Sequence, residues 1–77
     1  MTKHEVLKFI SRQGRVFPID LAVEADWTLG CSYSYLRSLH NQGLLIKGKE
    51  DGRLCYYLSA KGAKKLQHFD EMEMLEM

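Results

Sequence analysis

Stop signals at Gly14, Ala25-Asp26 and Gly43 cut the first 43 residues into three short helical stretches. Thr2-Lys3-His4-Glu5 reads as a capping box: the Thr2 hydroxyl can accept from the Glu5 amide, and the Glu5 carboxylate can reach back to Thr2. Val6, Leu7 and Ile10 follow at helical spacing with Phe9 beside them, and Gly14 closes the segment. The spacing predicts a first helix over about 3–13. Arg15-Val16-Phe17 is a short extended piece, because a residue before proline avoids the helical region.

Pro18 suits the first turn of a second helix, where its missing N–H costs nothing. Asp20 favours the positive end of that helix, and Leu21, Ala22 and Ala25 form its buried side. The helix ends near Ala25-Asp26, since aspartate tolerates a left-handed turn position, and Trp27 tucks inward from the turn. Thr28 caps a third helix over about 29–42, with Ser32, Leu36 and Leu39 on its inner side and Gly43 as its stop.

After Gly43 the period changes. Leu44–Lys47 reads as a strand, 48–52 as a turn and Arg53–Leu58 as a second strand rich in aromatic and aliphatic residues. Ser59 caps a last helix from Ala60, where Gly62 weakens the first turn and Leu66, Phe69, Met72 and Leu75 continue an apolar stripe. The expected fold is mainly α with a small β-sheet, in the order α-β-α-α-β-β-α. All 77 residues are read as one domain, with 68–77 an extension of the last helix.

At this length a core is marginal, so dimerisation is a reasonable source of stability. Phe69, Met72, Met74, Leu75 and Met77 make the last helix end apolar, as a homodimer contact would be; a frayed terminus is the alternative. No segment is long and apolar enough for a bilayer and no leader pattern opens the chain, so a cytoplasmic protein without membrane contact is expected.

Cys31 and Cys55 are far apart with no second pair. They are read as two buried free thiols, a disulfide requiring that the fold bring them together. Cys31, near a helix start, is also a weak candidate for a redox switch. No metal and no cofactor is expected. His4, His40 and His68 are scattered, with no triad order, carboxylate pair or phosphate loop, so the chain is not read as an enzyme. His40 is placed at the core boundary and Tyr35 as a half-buried core aromatic.

Net charge is only +1, but its distribution is uneven. Residues 1–69 hold all eleven Lys and Arg against six acids, a net of +5. Residues 70–77 hold four acids and no base, a net of −4. A basic body with an acidic tail is compatible with nucleic-acid contact, and equally with a mixed solvated surface.

Three stretches resemble the winged helix-turn-helix family, particularly small bacterial and archaeal regulators of the MarR and PadR type. Asp20-Leu21-Ala22 through Trp27-Thr28 is similar to its helix and turn, with Asp26 where the family usually has glycine. Tyr35-Leu36-Arg37-Ser38-Leu39 followed by Gly43-Leu44-Leu45 resembles its recognition helix and exit. Tyr57-Leu58-Ser59-Ala60-Lys61-Gly62 resembles the end of its wing and the start of its fourth helix. The likeness covers roughly residues 3–68 and is more specific for fold than for function.

The resemblance implies sequence-specific binding of double-stranded DNA by a transcriptional regulator, with the third helix in the major groove. If Ser32, Leu36 and Leu39 face the core, then Gly30, Tyr33, Ser34, Arg37 and Asn41 face away. Arg37 can pair with guanine or clamp phosphate, Ser34 can pair with several bases, and Tyr33 can meet a thymine methyl or a phosphate. Gly30 leaves room for close backbone approach. Lys47, Lys49 and Arg53 surround a turn whose two glycines suggest a flexible tip for backbone contact. Arg15 and Lys61 are further phosphate candidates. The bland readings are a polar outer helix face and charges that guard a hairpin edge. Glu50 and Asp51 at the tip, with the low net charge, leave open an alternative: a winged-helix protein–protein module that never touches DNA.

Overall fold

A computed structural model describes the backbone of residues 1–76 and the side chains through Met72. The elements are α1 (Lys3–Gln13), β1 (Arg15–Val16), α2 (Pro18–Ala25), α3 (Leu29–Asn41), β2 (Leu45–Glu50), β3 (Arg53–Leu58) and α4 (Ala60–Glu76). This is the expected order, mainly helical, with one antiparallel sheet in the strand order β1-β3-β2.

The caps form as their residue types require. The Glu5 amide donates to Thr2 Oγ1 at 3.2 Å and the Thr2 amide donates to Glu5 Oε1 at 3.3 Å. The donations from Thr2 hold the Glu5 carboxyl below its usual range. At α2 the Phe17 amide donates to Asp20 Oδ2 at 3.1 Å, so Asp20 both caps and opposes the dipole. At α3 the Cys31 amide donates to Thr28 Oγ1 at 3.1 Å. Asp26 closes α2 in the left-handed conformation, with φ 57°, a position that glycine takes most easily and that aspartate tolerates.

One apolar cluster joins every layer. Val6, Leu7 and Ile10 of α1, Leu21 of α2, and Leu36 and Leu39 of α3 meet Val16, Leu44, Leu45, Tyr56 and Leu66. Trp27 turns inward as expected and meets Tyr35 at a ring-centroid distance of 5.0 Å. Ser32 is fully buried, and its hydroxyl donates to the Pro18 carbonyl at 2.6 Å. That bond ties the N-terminal end of α3's inner face to the start of α2.

Several expectations need correction. β2 runs on to Glu50, so the connection is the two-residue turn Asp51-Gly52 rather than 48–52. Both turn residues have positive φ, 53° and 76°, the arrangement whose twist matches that of paired strands. The hairpin is therefore tightly built, not a flexible loop. Gly48 lies inside β2 opposite Cys55, where a side chain would press on the Tyr57 ring. The cysteines are both free, but only Cys55 is buried; Cys31 is exposed in the first turn of α3, where the core-facing register falls on Ser32 instead. Phe69 does not wait for a second chain. It packs on this chain's core and lies 5.3 Å from the His4 ring, while His4 Nε2 meets Asp70 Oδ1 at 2.9 Å. Met72 is exposed, and Met74, Leu75 and Met77 lie outside the residues whose side chains are described.

Gly62 also has a different role from the one its propensity suggests. Its Cα faces the Leu44 carbonyl, and an added Cβ would collide with that oxygen and touch Leu58 at 3.0 Å. Ala is the better helix former in isolation, yet here it must force α4 off the strand. Gly62→Ala is expected to lower unfolding free energy by about 1–3 kcal/mol, the cost of overpacking, against a propensity gain of under ~1 kcal/mol. Urea denaturation followed by circular dichroism measures the difference; an unchanged or higher midpoint would show that the close approach is not required.

Candidate nucleic-acid interface

The inner face of α3 is set by Ser32, Leu36 and Leu39, all buried. The 3.6-residue period then turns the other side of the helix to solvent. Gly30, Tyr33, Ser34, Arg37 and Asn41 are all exposed, as their spacing requires. Sheet pairing supplies the facing wall. Lys47 is opposite Tyr56 and Lys49 opposite Leu54, so these four side chains share the sheet face that looks toward α3.

The two walls enclose an open groove of about 400 Å³. Tyr33, Ser34, Arg37, Asn41 and Lys47 line it, so five of the eight sequence-predicted residues converge there. Gly30 sits one turn earlier on the same helix, in open space: a Cβ would meet nothing within 4 Å. Nothing within the chain demands glycine at that position.

Lys49 and Arg53 stand apart from this groove. Lys49 lies further along the exposed hairpin. Arg53 lines a neighbouring concavity with Phe17, Pro18, Ile19 and Leu29, and its guanidinium lies 4.7 Å from the centre of the Phe17 ring. Tyr33 and Leu54 line both spaces and form the ridge between them.

His40 and Tyr56 also line the groove, with rings 6.1 Å apart. His40 falls seven residues after Tyr33, on the same helical stripe, so that spacing carried the signal. Tyr56 had no such signal, since its position depends on strand register. Burial pushes its phenol above the ordinary tyrosine range, and Arg37 partly opposes this. The phenol is thus a neutral donor and acceptor at physiological pH.

The two further phosphate candidates are engaged within the chain. Arg15 Nε is paired with Glu50 Oε2, fastening β1's edge to the hairpin and neutralising one acid near the tip. Lys61 Nζ donates to the Gln42 carbonyl at 2.9 Å and so caps the end of α3. Among the described residues no group of three or more His, Cys, Asp or Glu could hold a metal ion, and no helix is long and apolar enough to cross a membrane.

A helix-turn-helix with a buried inner face and an exposed second helix, backed by a β-hairpin, is a winged helix. Solved structures share this architecture. The oxidized form of MarR from E. coli matches with a TM-score of 0.78 at 20% identity, covering 84% of this chain and 48% of that one. The AntR antimony-specific transcriptional repressor matches with a TM-score of 0.71 at 15% identity, covering 95% of this chain and 66% of that one. The chain thus spans about half the length of the first and about two thirds of the second. No family model matches the sequence, and no curated protein matches it. At these identities the likeness is one of fold: the chain has a MarR-like winged-helix architecture.

The inner and outer faces of α3 respond oppositely to small changes. Gly30→Ala is expected to raise stability by about 0.5–1 kcal/mol, since the methyl has space and alanine favours helix. Ser32→Ala is expected to lower it by about 1 kcal/mol through loss of the buried bond to Pro18. Paired urea titrations check both signs; the same sign in both variants would contradict the facing of α3.

Proposed function

We propose that the chain is a sequence-specific double-stranded DNA-binding module of a transcriptional regulator, with α3 in the major groove and the hairpin on the backbone. The observation that carries this reading is the convergence of Tyr33, Ser34, Arg37 and Asn41 on α3 with Lys47 of β2 around one open groove. The α3 residues are hydrogen-bonding side chains suited to base edges and phosphates, and Lys47 adds a cation suited to phosphate. Arg37, with two parallel donors, is the base reader, and Ser34 and Asn41 flank it. Lys47, Lys49 and Arg53 contact phosphates, and Gly30 lets the start of α3 approach the duplex closely. One fold neighbour is itself described as a transcriptional repressor, which supports the same class of role.

The module is a single winged domain with no catalytic activity, acting in the cytoplasm. It works as a homodimer through residues 68–77, which sets two reading helices about one DNA turn apart. Exposed Met72 supports this contact. Sedimentation at micromolar concentration is expected to give twice the chain mass; a monomer throughout would remove the dimer from the proposal.

A second reading, a winged helix that docks on protein without touching DNA, is favoured by the outer side of α2. Ile19 and Val23 are 44% and 74% exposed there, one helical turn apart. Duplex titration over a range of salt separates the two. Arg37→Ala is expected to weaken specific binding by about 1–3 kcal/mol and relax preference at one base pair. Gly30→Ala, although more stable, is expected to bind duplex more weakly. No duplex binding at low salt, or binding untouched by Arg37→Ala, would overturn the DNA reading.

A further inference from the structure

We propose that the cleft between the start of α1, the end of α3 and the first turns of α4 is a second phosphate-binding surface, entered by the backbone of a DNA duplex held on α3. The proposal rests on the DNA-binding reading above. Lys3, Lys61 and Lys65 line one concavity of about 460 Å³, together with Asn41, Gln42 and Leu44. The lining contains three cations and no carboxylate. Like charges gathered in one hollow repel, so their convergence calls for an anion or for strong structural anchoring.

The anchoring is through neutral groups. Lys3 Nζ donates to Gln42 Oε1 at 2.7 Å, and Lys61 Nζ donates to the Gln42 main-chain carbonyl at 2.9 Å. Lys65 Nζ lies 5.2 Å from the centre of the Phe69 ring. The ion pairs of the described residues join His4 to Asp70 and Arg15 to Glu50, and involve none of these lysines. Each ammonium is therefore held in place with its charge uncompensated by a carboxylate. The negative end of the α3 dipole accounts for one cation at this position, Lys61, and not for three.

The second observation concerns continuity. Asn41 lines this cleft and also the groove between α3 and the hairpin. Arg37 and Lys47 on one side of Asn41, and Lys61, Lys65 and Lys3 on the other, thus border two hollows that adjoin. A small anion occupies one hollow or the other. A duplex, with one charge per ~1.7 Å of its axis, occupies both. The Asn41 amide at the junction can donate to a phosphate or a base edge.

Nested mixed-sequence duplexes test this directly: one of about one helical turn, ~10 bp, and one of about two turns, ~20 bp. Fluorescence anisotropy over a salt series gives the slope of log affinity against log salt. The variant is Lys3→Gln with Lys65→Gln, which leaves the Lys61 cap intact. On the longer duplex its slope is expected to be shallower by about 1.8, or ~0.9 for each phosphate that is no longer neutralised. The same decrease is expected on the shorter duplex, since one helical turn, ~34 Å, already reaches across two adjoining hollows. Lys3→Arg with Lys65→Arg, which keeps both charges, is expected to retain the wild-type slope on both. No change on either duplex, or a decrease in the arginine variant as well, would overturn the cleft. Absence of wild-type binding to either duplex at low salt would overturn the DNA reading itself, a distinct result.

Discussion

The contact of the Gly62 backbone with the Leu44 carbonyl is where the three parts of this molecule are locked together. Around it lies a small set of polar bonds. Ser59 N donates to Leu44 O at 3.0 Å, Ser59 Oγ donates to Gly43 O at 2.6 Å, and Gly62 N donates to Ser59 Oγ at 3.0 Å. On the other side of Leu44, its own amide donates to Leu39 O at 3.0 Å and the Gly43 amide to His40 O at 2.9 Å. These last two bonds are the Schellman closure of α3, and Leu39 and Leu44 meet in the core as that motif requires. The end of α3, the root of the hairpin and the start of α4 thus share one set of hydrogen-bonded carbonyls. None can shift without leaving a polar group unpaired, which costs more than a typical bond contributes.

This junction determines what α3 can present. With its exit held by α4 and its inner face held by the Ser32 bond to Pro18, the helix has no freedom to roll. Its polar stripe must face outward, and the hairpin must stand beside that stripe. The tight Asp51-Gly52 turn and the Arg15–Glu50 pair keep the hairpin in register. The groove is the result of two rigid walls, not of a mobile loop, so a ligand entering it has little ordering entropy to overcome. The close approach at Gly62 is a local rule broken for a tertiary reason: a weak helix former stands where only it fits.

The charge distribution reads differently once the fold is known. The basic excess of residues 1–69 is not spread evenly over the surface. Arg15 is consumed by Glu50, whereas Arg37 and Lys47 border one concave surface and Lys3, Lys61 and Lys65 another. Low net charge therefore says little about local potential, because it adds contributions from opposite ends of the molecule. Asp70, Glu71, Glu73 and Glu76 lie in the far half of α4, where Asp70 meets His4 of α1.

Local chemistry in the sequence determined the helices and their ends. Thr2, Thr28 and Ser59 cap, Gly14 and Gly43 stop, Asp26 turns, and the spacing of Ser32, Leu36 and Leu39 decides which side of α3 is outermost. These are interactions within a few residues, so the linear order carries them. The sequence also carried Tyr33, Ser34, Arg37 and Asn41 as one face, since a helix converts spacing directly into direction. What it did not carry was anything dependent on partners distant in the chain. The extension of β2 to Glu50 follows from strand pairing. Exposure of Cys31, burial of Tyr56, the use of Phe69 by His4 and the need for Gly62 follow from packing between elements. The separation of Arg53 from the main groove, and the gathering of Lys3 with Lys61 and Lys65, are of the same kind. Short-range rules select the elements and their faces; only the docking of those faces decides which charges end up together.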